Sequence, residues 1–249
     1  MNLNYELNFG YKRGYMSELI KNEFKIDQIP AILWGEKSSK VYIFVHGKLS
    51  SKADAQGFAE KVCPKGYQVL SFDLPEHGDR KEEMYECNVW NGVHDLGVIK
   101  SYVLLNWKDI SLFAGSLGAY FSLLSFYDLP LKNCLFLSPI LNMEQLIRNM
   151  MLWFQVEEKT LKEKKEIPTP MGETLSWEYF TYVKDHPIVY WNIPTAILYG
   201  SEDNLQSRDL IDEFTTKFQC RLTVLQGGEH HFHTPEQIEF MFEWIDQNT

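Results

Sequence analysis

Cysteine is scarce and scattered. The chain carries 4 cysteines in 249 residues, Cys63, Cys87, Cys134 and Cys220, and none of them forms a C-x-x-C pair. That spacing argues against a disulfide framework or a zinc ribbon, and it reads as reduced, partly buried thiols in a reducing compartment. No run approaches the ~18 consecutive apolar residues needed to cross a bilayer, so membrane insertion is not expected. The amino terminus, MNLNYELNFGYKRGYM, lacks the continuous apolar stretch of a secretory signal, and a cytoplasmic location is the resulting expectation. Positive charge is in deficit: 24 Lys and Arg face 34 Asp and Glu, for a formal net charge of −10. Nucleic acids and anionic membranes usually demand a basic face, so neither is an expected partner. The sequence also lacks internal repeats, low-complexity tracts, a P-loop, and a G-x-G-x-x-G after its first strand, which disfavours a nucleotide-binding protein.

What is present is a globular composition, 45% apolar and 14% aromatic. A chain of this length buries roughly 70–75% of its unfolded surface and needs no covalent or metal staple. Short runs that are hydrophobic at nearly every position predict buried parallel strands at 41–45 (VYIFV), 67–72 (YQVLSF), 110–114 (ISLFA), 134–137 (CLFL), 195–199 (TAILY) and 221–225 (RLTVL). Helical periodicity falls between them at 53–62, 89–105, 117–127 and 208–218. A last amphipathic helix over 235–247 has Thr234 as N-cap, Pro235 at its first position and Gln237 at its third, a capping-box arrangement. The alternation predicts an α/β fold: a mostly parallel central sheet with helices on both faces. Residues 24–34 can add antiparallel edge strands.

One stretch breaks the rhythm. Residues 141–192 hold no strand-like run bounded by turns, but contain NMMLWF, a charge-dense EEKTLKEKKE, Pro168 and Pro170, and WEYFTY. An insertion of this length between core strands is usually functional, often a lid. The expected organisation is a core of 1–140 and 193–249 interrupted by a helical cap at 141–192. Interleaved Glu and Lys at 157–166 read as a solvated helix face. The aromatics Trp153, Phe154, Trp177, Tyr179 and Phe180 read mostly as the cap's own core, with one or two lining a pocket.

The most informative string is Ala114-Gly115-Ser116-Leu117-Gly118, set directly between a strand and a helix. A serine at such a turn is forced into a strained backbone conformation that lifts its Oγ above the sheet. Small residues two before and two after it are needed because the helix starts almost on top of the strand. The helix N-terminus adds unpaired N–H groups and a positive dipole end where an oxyanion would form. Serine alone is a poor nucleophile and needs a base and a group to orient that base. Past the strand at 195–199 comes Gly200-Ser201-Glu202-Asp203-Asn204, and past the strand at 221–225 comes Gly227-Gly228-Glu229-His230-His231-Phe232-His233. Carboxyl ends of parallel strands share one edge, so these groups can converge with Ser116. Spacing leaves Glu202 as a rival to Asp203, and His231 and His233 as rivals to His230. Asp203 can also be read as a helix N-cap. A metal reading of the histidines finds no H-x-x-x-H helix pair or nearby cysteine to support it, so no metal or other cofactor is expected.

Together with His46-Gly47 after the first core strand and Asp73-Leu74-Pro75-Glu76-His77-Gly78 after the second, these motifs resemble the α/β-hydrolase superfamily. The resemblance runs from about residue 41 to the end, apart from the insertion. It implies a serine hydrolase of esterase type with Ser116, Asp203 and His230 as the catalytic triad. It implies an oxyanion hole from the backbone N–H groups of Lys48 and Leu117, and a cap that shapes the acyl pocket. It selects His230 as the first histidine of a stretch like G-x-H-F-F-H. Three departures stand out: Ala114 and Glu76 replace common glycines, and Lys48 replaces a residue often glycine or aromatic, leaving its side chain free to meet substrate or leaving group. His46 reads as a brace for its loop, and His77, His94 and His186 as partly exposed polar side chains. The implied partner is a small-molecule acyl substrate; substrate identity and oligomeric state are not specified by the sequence. A ligand-binding protein without turnover on the same scaffold is the alternative reading.

Overall fold

Strand-forming runs that are apolar on both faces need cover on both faces, and this requirement organises the molecule. A computed structural model of the protein describes residues 19–249; the amino-terminal stretch read above for a secretory signal lies outside the described residues. In chain order the elements are β1 (Lys21–Ile26), β2 (Ile29–Trp34), β3 (Lys40–Val45), α1 (Gln56–Val62), β4 (Gln68–Phe72), α2 (Val89–Asn106), β5 (Asp109–Gly115), α3 (Ser116–Ser125), β6 (Leu131–Leu137), α4 (Met143–Trp153), α5 (Glu158–Lys164), β7 (Glu166–Pro168), β8 (Thr174–Ser176), α6 (Trp177–Asp185), β9 (Thr195–Gly200), α7 (Arg208–Phe218), β10 (Arg221–Leu225) and α8 (Pro235–Asn248). An eight-stranded sheet runs in the order β1-β2-β4-β3-β5-β6-β9-β10. From β4 to β10 every pairing is parallel, while β1 pairs β2, and β2 pairs β4, antiparallel. The segment at 24–34 thus supplies an antiparallel edge.

Every residue of β4 and of β9 is buried, as strands covered on both faces must be. One face packs Val41, Ile43, Leu112 and Phe136 against Leu96, Ile99 and Phe121 of α2 and α3. The other packs Tyr42, Phe44, Phe113 and Leu135 against Phe58 of α1 and Trp244 and Ile245 of α8. Alternate residues of one strand therefore serve opposite cores, the consequence of a two-residue side-chain period.

Local details depart from the expected ones for identifiable reasons. The helix expected over 53–62 begins as a 3-10 turn, Lys52–Ala55, closed by a capping box between Ser51 and Asp54. At α8, Thr234 Oγ accepts the Gln237 N–H at 3.3 Å. The Gln237 side chain, however, accepts from His233 N–H at 3.1 Å, one residue before the cap. Between β6 and β9 lie α4, α5 and α6, and also the short hairpin of β7 with β8, which was not expected. Its strands are three residues each, too short to write a hydrophobic period. In α5 only Leu161 is buried, leaving the Glu and Lys residues on the solvated face.

The strand order places the site. After β3 the chain adds β4 on one side and returns to add β5 on the other, so the loops leaving β3 and β5 diverge from adjacent strands at a switch point. At that point α3 approaches β3 so closely that a Cβ on Gly118 would collide with the carbonyl oxygen of His46 and lie 2.7 Å from that of Val45. Backbone acceptors cannot swing aside as a flexible side chain can. Gly118→Ala is therefore expected to lower unfolding stability by about 3 kcal/mol, measured by urea denaturation; an unchanged midpoint would show that α3 can retreat from β3 without cost.

Candidate active site

Ser116 is the first residue of α3 and has φ of 46°, in the left-handed region that a residue with a Cβ enters only under constraint. The constraint is the turn from β5 straight into α3, with Gly47 of the neighbouring loop packed against it; a Cβ on Gly47 would stand 3.1 Å from that of Ser116. No side chain caps the start of α3, whose N-cap position is Gly115, so no cap side chain occupies the first-turn N–H groups.

The hydroxyl meets an imidazole. Ser116 Oγ lies 2.8 Å from His230 Nε2, and His230 Nδ1 lies 2.7 Å from Asp203 Oδ2. A buried carboxylate can only accept, so Nδ1 carries the proton and Nε2 is left to accept from the serine. Asp203 is itself fixed: its Oδ1 accepts from the N–H groups of Leu205 at 2.8 Å and Gln206 at 3.3 Å. The loops after β9 and β10 are stitched together by Glu202 N–H to Gly228 O at 2.8 Å and Gly227 N–H to Ser201 Oγ at 2.8 Å. Acid and histidine thus arrive as one unit. Ser116, His230 and Asp203 form a Ser-His-Asp triad at the carboxyl edge of the sheet.

The rivals lie elsewhere. Glu202 is exposed, and the N-cap of α7 is Ser207 rather than Asp203. His231 and His233 are exposed and stack on one another at 6.0 Å, with His233 Nδ1 3.1 Å from the Glu229 carboxylate. Ser138 also has a positive φ, 41°, but its buried hydroxyl has no partner among the described residues, histidine included. Among the described residues no group of three His, Cys, Asp or Glu side chains is placed to hold a metal ion.

Ser116 opens into a cavity of about 210 Å³ whose walls include Lys48 and Leu117. Its far wall comes from the cap: Met143, Leu146, Ile147 and Met150 of α4, with Trp153 and Tyr179. Phe180, by contrast, is fully buried in the core. The Lys48 ammonium was expected to be free for substrate. It instead pairs with Glu173, in the turn of the cap hairpin, so that the loop after β3 and the cap meet across the rim of the cavity. Sequence reasoning missed Glu173, since no local signal marks a surface glutamate that will find a lysine far away in the chain. Glu76 has φ of 61°, which explains why glycine is common there; its carboxylate accepts the Cys87 N–H at 2.7 Å, a contact glycine could not make.

No protein-family model and no curated protein matches the sequence. Solved structures do match. Est1E from Butyrivibrio proteoclasticus with bound ferulic acid is 18% identical over 91% of this chain and 97% of its own, with a TM-score of 0.73. The α/β hydrolase domain-containing protein 10 from mouse is 16% identical, covering 93% of this chain and 98% of its own, at 0.71. The Pyrococcus furiosus esterase Pf2001 is 20% identical, covering 93% and 90%, at 0.63. At these identities the likeness is one of fold: the chain has the α/β-hydrolase fold, with a cap inserted between β6 and β9.

The loop that carries Lys48 is held from below by His46. Leu74 N–H donates to His46 Nε2 at 3.0 Å, and His46 Nδ1 donates to Gly47 O at 2.7 Å, which requires the neutral ring. His77, expected to be partly exposed, is buried against it at 5.2 Å, its Nδ1 bonded to Pro75 O. Burial, chiefly, pushes the His46 pKa down to about 4 from 6.5. Between those values the unfolded chain binds the proton and the folded one does not, so stability falls as pH drops from 6.5 towards 4. The full loss is roughly 3 kcal/mol at 1.36 kcal/mol per pH unit. Denaturant midpoints across this window should fall more steeply for the native protein than for His46→Asn; parallel profiles would exclude His46 as a source of acid lability.

Proposed function

We propose that the protein is a serine hydrolase that cleaves a carboxylic ester, or a related acyl compound, on a core divided by a cap at residues 141–192. The observation that carries this reading is the unbroken chain from Ser116 Oγ through His230 to Asp203, ending in an apolar cavity. A protein that merely held a ligand would have no use for a strained serine aligned on a buried imidazole–carboxylate pair.

In the proposed reaction Ser116 Oγ attacks the acyl carbon while its proton passes to His230 Nε2. Asp203 keeps the imidazole in the reactive tautomer and stabilises the imidazolium. The tetrahedral oxyanion lies against the backbone N–H groups of Lys48 and Leu117, the latter in the uncapped first turn of α3, where the helix dipole is favourable. The alcohol departs with the proton from His230, leaving an acyl-serine. Water then attacks that ester, giving its proton to His230, and the carboxylic acid leaves as Ser116 regains its hydrogen. Ester and water become acid and alcohol, and no cofactor is needed. The partner is a small acyl molecule whose apolar part the cap encloses. The four thiols are unpaired, which supports a reducing, cytoplasmic setting; among the described residues no helix is long and apolar enough to cross a membrane.

Ser116→Ala is expected to reduce hydrolysis of p-nitrophenyl acetate to background, a loss on the order of 10⁶-fold in kcat, with an unchanged circular dichroism spectrum. Asp203→Asn, which leaves the ring in the wrong tautomer, should cost about 10⁴-fold. Turnover retained in the serine variant would remove the nucleophile. A fluorophosphonate that fails to label Ser116 in the folded protein would favour a ligand-binding role instead.

A further inference from the structure

The turn that offers the Lys48 N–H to the oxyanion is held by little of its own. Lys48 and Leu49 are the central pair of a tight turn after β3. Leu49 has φ of 62°, in the left-handed region that a leucine enters at a cost in free energy. Its side chain is 93% exposed, so no packing offsets that cost. Among the described residues neither Lys48 nor Leu49 makes a main-chain hydrogen bond. The anchors lie to either side. His46 Nε2 accepts the Leu74 N–H before the turn, and the Lys52 N–H donates to Asp73 Oδ1 at 2.8 Å after it. For Lys48 and Leu49 themselves, the one polar tie among the described residues is the Lys48 ammonium on Glu173.

Glu173 comes from a part of the cap that is closed by its own backbone. Its carbonyl accepts the Thr169 N–H at 2.7 Å, and the Gly172 N–H donates to Thr169 O at 3.0 Å, which together shut the turn of the β7–β8 hairpin. The Trp177 N–H, bonded to Lys165 O at 2.8 Å, ties the open end of the hairpin to the start of α6. Other polar side chains on the cavity wall offer an ammonium less. Ser176 caps α6, Thr174 has no charge, and Cys87, its pKa pushed up to about 12 chiefly by burial, is neutral. On the core side, the Glu76 carboxylate is engaged by the Cys87 N–H.

We propose that Glu173 is a positioning residue for the oxyanion hole. Through the Lys48 ammonium it registers the turn against the hairpin and so fixes the Lys48 N–H, which means that the cap, and not the core alone, completes the hole. This rests on the hydrolase reading with Lys48 as a donor, and adds to it a dependence on one carboxylate of the cap. An exposed ion pair carries little stability, so its loss should shift the donor without unfolding the chain.

The test is a double-mutant cycle of Glu173→Gln and Lys48→Met, read by hydrolysis of p-nitrophenyl acetate and by inhibition with trifluoroacetone. Ser116 Oγ adds to the ketone carbon, its proton passes to His230, and the former carbonyl oxygen becomes an oxyanion in the hole, so the inhibitor reports the hole directly. Acylation and deacylation both pass through the same hole, so kcat reports it whichever step limits turnover. Each single variant should lose about tenfold in kcat, less than the roughly 10²–10³-fold of outright donor removal, with KM within about twofold. Inhibition by the ketone should weaken by about the same tenfold. The double variant should lose no more than either single one, because both act through one contact. Melting temperatures should stay within about 4 °C of the native value.

Native kcat in Glu173→Gln would overturn the proposal, as would a rise in KM alone, which would mark Glu173 as a substrate contact. A loss in Lys48→Met with none in Glu173→Gln would assign the ammonium to the substrate and also overturn it. So would losses that multiply in the double variant, or a larger fall in melting temperature, which would make Glu173 a structural residue. A native protein that neither cleaves the ester nor is labelled at Ser116 by a fluorophosphonate would overturn the hydrolase reading itself, and this proposal with it.

Discussion

The close approach of α3 to the end of β3 is the constraint on which the site depends. With glycine at 118 the helix can begin almost in contact with the carbonyls of Val45 and His46, and with glycine at 47 the neighbouring loop can lie against the Ser116 Cβ. Between these two contacts the serine backbone has nowhere to go but the left-handed region, and its hydroxyl is thrust out above the sheet. The same crowding leaves the start of α3 without a capping side chain and brings Lys48 and Leu117 to the wall of one cavity. Steric exclusion thereby positions both the serine oxygen proposed to react and the donors proposed to face it.

Around that fixed point the remaining parts are held by polar contacts. Asp203 is tied down by the backbone of its own turn, and His230 is tied to Asp203 through a loop sewn to the acid's loop. His46, in turn, joins the loop after β3 to the segment after β4. The cap contributes the rest of the cavity, and at its rim meets the core in the Lys48–Glu173 pair. Both partners of that pair are partly exposed, so it carries little stability and acts chiefly to set where the hairpin lies. The triad geometry thus belongs to the sheet edge and most of the cavity wall to the insertion, and the two are joined at Gln206, whose side chain accepts the N–H groups of Leu141 and Asn142 at 2.9 Å each.

How much of this was legible beforehand depended on the range of the signal. Five of the six expected core strands were readable because burial on both faces writes a nearly uninterrupted apolar run, as in VYIFV and TAILY, whereas β10, at the sheet edge, has no fully buried residue. The β7–β8 hairpin was not, because a three-residue strand is too short for any period to register. The alternation of elements implied that Ser116, Asp203 and His230 leave strands at a common edge, but Glu202, His231 and His233 remained open because adjacent residues in a loop share that edge equally. Burial of one carboxylate and exposure of the other separates them only once the chain is folded.

By itself, then, the sequence determined the layered α/β architecture, the place of the strand-to-helix elbow and the chemical types available at the end of each strand, since those follow from the period of hydrophobic residues and the order of the elements. Tertiary structure alone decided which histidine faces the serine, that the Lys48 ammonium is taken by Glu173, and that the Tyr179 hydroxyl is enclosed with no partner among the described residues. Such contacts join segments far apart along the chain. Their energies depend on distances of a few ångströms that no local pattern of residues encodes.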